Sequence, residues 1–170
     1  MTSDKSNLLS SREIQSIQLW ISKLKRYKDL STEEKVIKCK RRLKFSYNVI
    51  GFGKHRIVYD LNNGYVLKVA ITRWGIENNK TEYNIYYNCP EHLQINLCPV
   101  LEHGDGWIIM KKADTNIPVD SRFKDKIRKL KKEFINHGID PKDLWSANLA
   151  LSEKLEIIVI DYGNFQKKDE

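Results

Sequence analysis

The chain has 170 residues, about one domain, and is long enough to bury a core of its own. Hydrophobic residues make up 41% and charged residues 31%, which excludes a disordered tail, and no apolar run approaches the ~20 residues of a membrane-spanning helix. Thirty basic residues against 22 acidic leave a net charge of +8.

The N-terminal stretch MTSDKSNLLSSRE lacks the basic and apolar regions of a secretory leader. Ser10 and Glu13 fit a capping box, and Ile14, Ile17, Ile21 and Leu24 follow at helical spacing, so residues 11–28 read as an amphipathic helix. Ser31 and Glu34 repeat the signal for a second helix ending near Leu43. The runs FSYNVIGFG, RIVYDL and GYVLKVAI are short, β-rich and punctuated by turn signals, and predict three strands. Residues 75–88 read as a helix, and CPVLEHG and DGWIIMK as two further strands. Asp120 and Ser121 can cap a helix through Asn136, closed by Gly138. The chain then ends in a loop and a hairpin built from NLAL and LEIIVIDYG.

Cys39, Cys89 and Cys98 are odd in number and in no CxxC, which argues against both a disulfide framework and a zinc site. Reduced thiols of a cytoplasmic protein are the expectation. The basic excess gathers in residues 23–44 and in RFKDKIRKLKKEF. Two readings stand: solvated faces of amphipathic helices, or contact with a polyanion such as nucleic acid.

Three segments carry chemistry. Gly51 and Gly53, between two predicted strands, would let backbone N–H groups approach phosphates, although two glycines can also be only a turn. Lys68 lies ten residues past Val58 inside the apolar run VLKVA, and Glu82 in the next helix could supply a carboxylate partner; a solvent-facing lysine is the alternative. Asp143 and Asn148 are five residues apart, and Asp161 ends the apolar run IIVI thirteen residues later. A carboxylate and a carboxamide suit Mg²⁺, and Asp143 could accept a proton from an attacking hydroxyl. Ordinary turns can also use these residues.

The order and spacing of these segments resemble the protein-kinase-like superfamily over about residues 46–165. Gly51 and Gly53 match the first two glycines of the Gly-rich loop, Arg56 replaces the third, and Val58 is kept. Lys68 matches the phosphate-holding lysine, and Glu82, with Glu77 as fallback, its helix partner. WIIMKKA, containing Met110, is similar to the strand and hinge against which adenine packs. Asp143 matches the catalytic base, and Asn148 and Asp161 match the metal ligands. DLWSAN is as close to the DLHPGN of small-molecule kinases as to the protein-kinase form. Pro141-Lys142 stands in place of His-Arg, and Tyr162 in place of the Phe of DFG. Seven residues follow Gly163, with no activation segment and no later substrate-binding helices.

The resemblance implies an α+β, minimal kinase-like fold: a helical extension (1–45), an N-lobe and hinge with an antiparallel sheet and one helix (46–113), and a much reduced C-lobe (114–170). The extension has no counterpart in the family and is expected to cover surface that the missing helices would otherwise cover. The implied cofactors are ATP and Mg²⁺, and the implied activity is phosphoryl transfer to a hydroxyl of a protein or small molecule. The alternatives are a pseudokinase that docks a partner protein and a nucleic-acid-associated protein.

Overall fold

The computed structural model describes residues 5–114 and 120–168. The chain divides into two compact units, Met1–Asn79 with Leu101–Met110, and Lys80–Val100 with Lys111–Glu170. The architecture is α+β.

The first unit opens with α1 (Ser11–Ile21) and α2 (Thr32–Leu43). Both expected capping boxes are formed, Ser10 with Glu13 and Ser31 with Glu34, which satisfies backbone donors that a helix start leaves unpaired. The first helix ends earlier than its periodicity predicts. The Ser22 hydroxyl donates to the Leu19 carbonyl at 2.9 Å, a local bond that competes with the helical ladder. The chain then tightens into a 3-10 turn, Leu24–Tyr27, that still buries Leu24.

Strands β1 (Asn48–Phe52), β2 (Arg56–Asp60) and β3 (Tyr65–Ala70) precede α3 (Arg73–Asn88), which starts in the first unit and ends in the second. After α4 (Glu91–Gln94) come β4 (Val100–Gly104) and β5 (Trp107–Lys111). The five strands make one sheet in the order β1-β2-β3-β5-β4. Side chains alternate between the faces of a strand, and here the alternation divides two environments. Ile57, Tyr59, Leu67, Val69, Trp107 and Ile109 join the apolar side of α1 and α2 in one cluster. Trp20 is fully buried there, its indole N–H donating to the Ala70 carbonyl at 2.8 Å and its ring stacked on Tyr27.

The N-terminal helices therefore cover one face of the sheet. The reason is physical: a sheet with an apolar face must bury it against another layer. Gly106 marks how closely α1 sits, since a Cβ there would lie 2.2 Å from Ile21 Cδ1, and its φ is +79°. On α2, Val36, Cys39 and Leu43 point inward while Lys38, Lys40, Arg41 and Arg42 are exposed, as an amphipathic helix requires.

In the second unit, α5 (Lys124–Asn136) buries Leu130 and Phe134. Strand β6 (Ile139–Asp140) pairs with β9 (Gln166–Lys167), and β7 (Leu149–Leu151) pairs with β8 (Ile157–Val159) as the expected antiparallel hairpin. Strand β8 is also held on its other side, where Cys98 N–H donates to the Val159 carbonyl and Val159 N–H to the Asn96 carbonyl. Sequence periodicity does not predict α4 or the β6–β9 pair, because pieces of two to four residues carry no period. Cys39, Cys89 and Cys98 form no disulfide with one another. Among the described residues, no helix is long and apolar enough to cross a membrane.

Candidate functional site

In the first unit the candidate residues lie across three neighbouring strands. Gly51 is the cross-strand partner of Val58, and Val58 is the partner of Lys68. Partners in an antiparallel ladder project to the same face. That face is opposite the helical cluster, because Ile57, Tyr59, Leu67 and Val69 occupy the other one. Met110 follows the same alternation on β5, next to Ile109 of the cluster. Lys68 is 5% exposed, which removes the solvent-facing alternative.

The β1–β2 turn is closed by the Gly53 N–H donating to the Arg56 carbonyl at 2.9 Å. A Cβ on Gly51 or Gly53 would meet nothing within 4 Å. Neither glycine is demanded by packing, so the space over this hairpin is open to a ligand's approach. Gly75 is the contrast: a Cβ there would stand 2.2 Å from the His55 carbonyl oxygen, so it is glycine for close packing. Arg56, at the place of the third glycine, is buried and donates through Nη1 to Asn79 Oδ1 at 3.1 Å. It ties the hairpin to the start of α3. His55 sits beside it, with its Nδ1 3.0 Å from Thr72 Oγ1. Burial, and then the charges of Lys54, Arg56 and Lys35, hold the His55 imidazole below its ordinary pKa.

In the second unit one hydrogen-bond network holds the remaining candidates. Asn148 Nδ2 donates to the Asp143 carbonyl at 2.9 Å, and the Asn148 carbonyl accepts from Ile160 N–H at 2.9 Å. The loop carrying Asp143 is thereby fastened to the residue preceding Asp161. Because the Asn148 amide donates through nitrogen, its side-chain oxygen stays an acceptor suited to a hard cation. Asp143 itself has φ +60°, a left-handed conformation that aspartate tolerates better than most residues. Its Oδ2 accepts from Asn164 Nδ2.

Glu82 is fully buried on α3, and its Oε1 accepts from Tyr162 N–H at 3.1 Å. A charged residue is almost never found at that depth without partners. Tyr162 is fully buried too, its hydroxyl donating to the Cys98 carbonyl at 2.7 Å. Burial, and then the Glu82 carboxylate, push that hydroxyl well above the usual phenol range. It is a neutral donor at any working pH. The Asp161-Tyr162-Gly163 segment is thus pinned by its backbone to α3 and by its side chain to the segment before β4.

Sequence reasoning missed two members of this arrangement. Asn164 has no signal beyond standing next to Gly163, and its contact with Asp143 spans 21 residues. Asn79 is one of several asparagines on α3, and only the fold shows that it meets Arg56.

No protein-family model matches the sequence. No curated protein matches it either. Solved structures of WbdD do match. A co-crystal structure with the kinase inhibitor LY294002 has a TM-score of 0.57 at 14% identity, covering 73% of this chain and 34% of that one. A structure of WbdD described as a bifunctional kinase-methyltransferase has a TM-score of 0.57 at 15% identity, covering 68% and 31%. A further WbdD structure gives 0.56 at 15%, with the same coverage. The chain spans about a third of the length of these proteins. At such identities the likeness speaks for the fold: this chain has a protein-kinase-like fold over about 70% of its length.

Proposed function

We propose that the chain binds ATP with Mg²⁺ and transfers the γ-phosphoryl group to a hydroxyl acceptor on a protein or small molecule. In this reading the open hairpin of Gly51 and Gly53 takes the phosphates, with Lys68 as their cation. Val58 offers apolar surface to the base, with the buried Met110 on the same face of the sheet. Asn148 and Asp161 supply oxygen donors for Mg²⁺, which would neutralise charge on the phosphates. The acceptor oxygen forms a bond to the γ-phosphorus, the bond to the β-phosphate oxygen breaks, and ADP leaves. The acceptor's proton goes to the Asp143 carboxylate. Glu82 is a positioning residue that fixes the Asp161 segment through Tyr162 N–H. Most of the acceleration would come from orientation and charge stabilisation, since phosphoryl transfer asks little covalent chemistry of the protein.

The observation that carries this reading is Asn148 bridging the Asp143 carbonyl and the Ile160 N–H. The loop carrying Asp143 is thereby joined to the residue before Asp161, 17 positions away in sequence. The experiment is γ-phosphate release with Mg²⁺ at saturating ATP, comparing the parent with Asp143→Ala. ATP affinity should be unchanged and turnover should fall by about 10²–10⁴-fold. ATP binding without turnover in either protein, across a panel of acceptors, would replace this reading with a module that docks a partner.

A further inference from the structure

Residues four apart are neighbours on a helical surface. The last turn of α5 therefore brings Glu133 and the helix-ending His137 to one side. His92, on α4, reaches the same place. The His92 and His137 rings are 4.8 Å apart between centroids at 64°. One ligating atom from each of His92, Glu133 and His137 lies within 4.8 Å of the other two. All three side chains are exposed, so no core packing explains the cluster.

The hydrogen bonding of His137 matters here. Its Nδ1 is 2.8 Å from the Glu133 carbonyl oxygen. A carbonyl carries no proton, so Nδ1 must hold the hydrogen, and in the neutral ring Nε2 keeps the lone pair. Imidazoles that bind metals are oriented in this way, with the second nitrogen tied to a carbonyl or carboxylate.

We infer that His92, Glu133 and His137 form a zinc-binding site of two imidazole nitrogens and one carboxylate oxygen, with the remaining coordination open to water. Cysteine spacing speaks against zinc in this chain, but the ligands here are histidines, which that count does not see. Two nitrogens and one oxygen suit Zn²⁺, whereas Mg²⁺ and Ca²⁺ prefer oxygen alone. Bonds of ~2.0–2.1 Å in a tetrahedral site put ligand atoms ~3.3 Å apart. The side chains that must close from 4.8 Å to that spacing are all exposed. The carboxylate of Glu133 and the negative end of the α5 dipole offset the charge of the ion. Lys131 and Lys132, beside Glu133 in sequence, work against it, so affinity is moderate. A bound ion would clamp α4 to the end of α5. This inference is independent of the phosphotransferase reading.

The test is a zinc titration of the full chain by calorimetry, after chelator treatment and in excess Mg²⁺ so that other oxygen sites are filled. One zinc per chain is expected. His92→Ala and His137→Ala should each weaken binding roughly tenfold or more, and Glu133→Gln by less. His103→Ala, outside the cluster, should change nothing. Ring-nitrogen spectra should show zinc shifting His92 and His137 while leaving His55 and His103 in place. These readouts remain decisive in the parent even if a variant folds poorly. Absence of zinc binding by the parent would overturn the site. So would binding that survives His137→Ala, or that Cys89→Ser or Asp161→Asn removes.

Discussion

Val58 of β2 and Lys68 of β3 are cross-strand partners, and Gly51 of β1 continues the same rung. A glycine, a β-branched apolar residue and a buried lysine therefore share one face of the sheet, while α1 and α2 cover the other. In the proposed function, the Lys68 ammonium meets the phosphate charge.

Lys68→Ala should weaken ATP binding by roughly tenfold to a hundredfold, the range of a lost charge-assisted hydrogen bond. Calorimetric titration checks this, with Lys68→Met as a variant that keeps the buried stem. Unchanged affinity in both would remove the phosphate role.

Glu82 separates charge from hydrogen bonding. Glu82→Gln keeps an oxygen for Tyr162 N–H, so it should lose less stability in denaturant than Glu82→Ala. Glu82→Ala leaves the buried N–H unpaired and should cost about 1–3 kcal/mol in stability. Equal stability losses in the two variants would show that Tyr162 N–H does not depend on this oxygen.

His55 makes the stability depend on pH. Its folded pKa lies below the ordinary value because burial and neighbouring cations disfavour the imidazolium. The unfolded state therefore binds the proton more readily. The contribution of His55 is fully present above the unfolded value of about 6.5 and is lost as pH falls from there towards the lower folded value. Unfolding midpoints of the parent should drop across that window, and His55→Gln should flatten the drop. An identical slope in both proteins would assign the dependence to other groups.

Trp20 tests whether the N-terminal helices are integral to the sheet. Trp20→Ala removes a fully buried ring and its bond to the Ala70 carbonyl, and should destabilise by about 3–5 kcal/mol. Chemical unfolding measures this. A loss below about 1 kcal/mol would mean that α1 is only an appendage.

The local elements were legible because their causes are local. Capping boxes at Ser10 and Ser31, the helical spacing of Ile14, Ile17 and Leu24, and the β-rich runs around Gly51 and Lys68 depend on residues a few positions apart. The spacing of Asp143, Asn148 and Asp161 could be read in the same way, since one loop and one hairpin contain all three. Alternation along β3 could show that Lys68 shares a face with Val66 and Ala70.

What the alternation could not show is what covers each face. An apolar stripe on α1 states that it must be buried, but not against which surface, and the sheet won because its own apolar face needed a layer. The contacts of Glu82 with Tyr162, of Asn164 with Asp143, and of His92 with His137 span 80, 21 and 45 residues. Each joins side chains whose local surroundings look ordinary. Such contacts leave no period and no local motif, because their energy is realised only after the backbone between them has folded. For that reason the chemistry of single segments belongs to the sequence, and the network that holds them in register belongs to the tertiary structure.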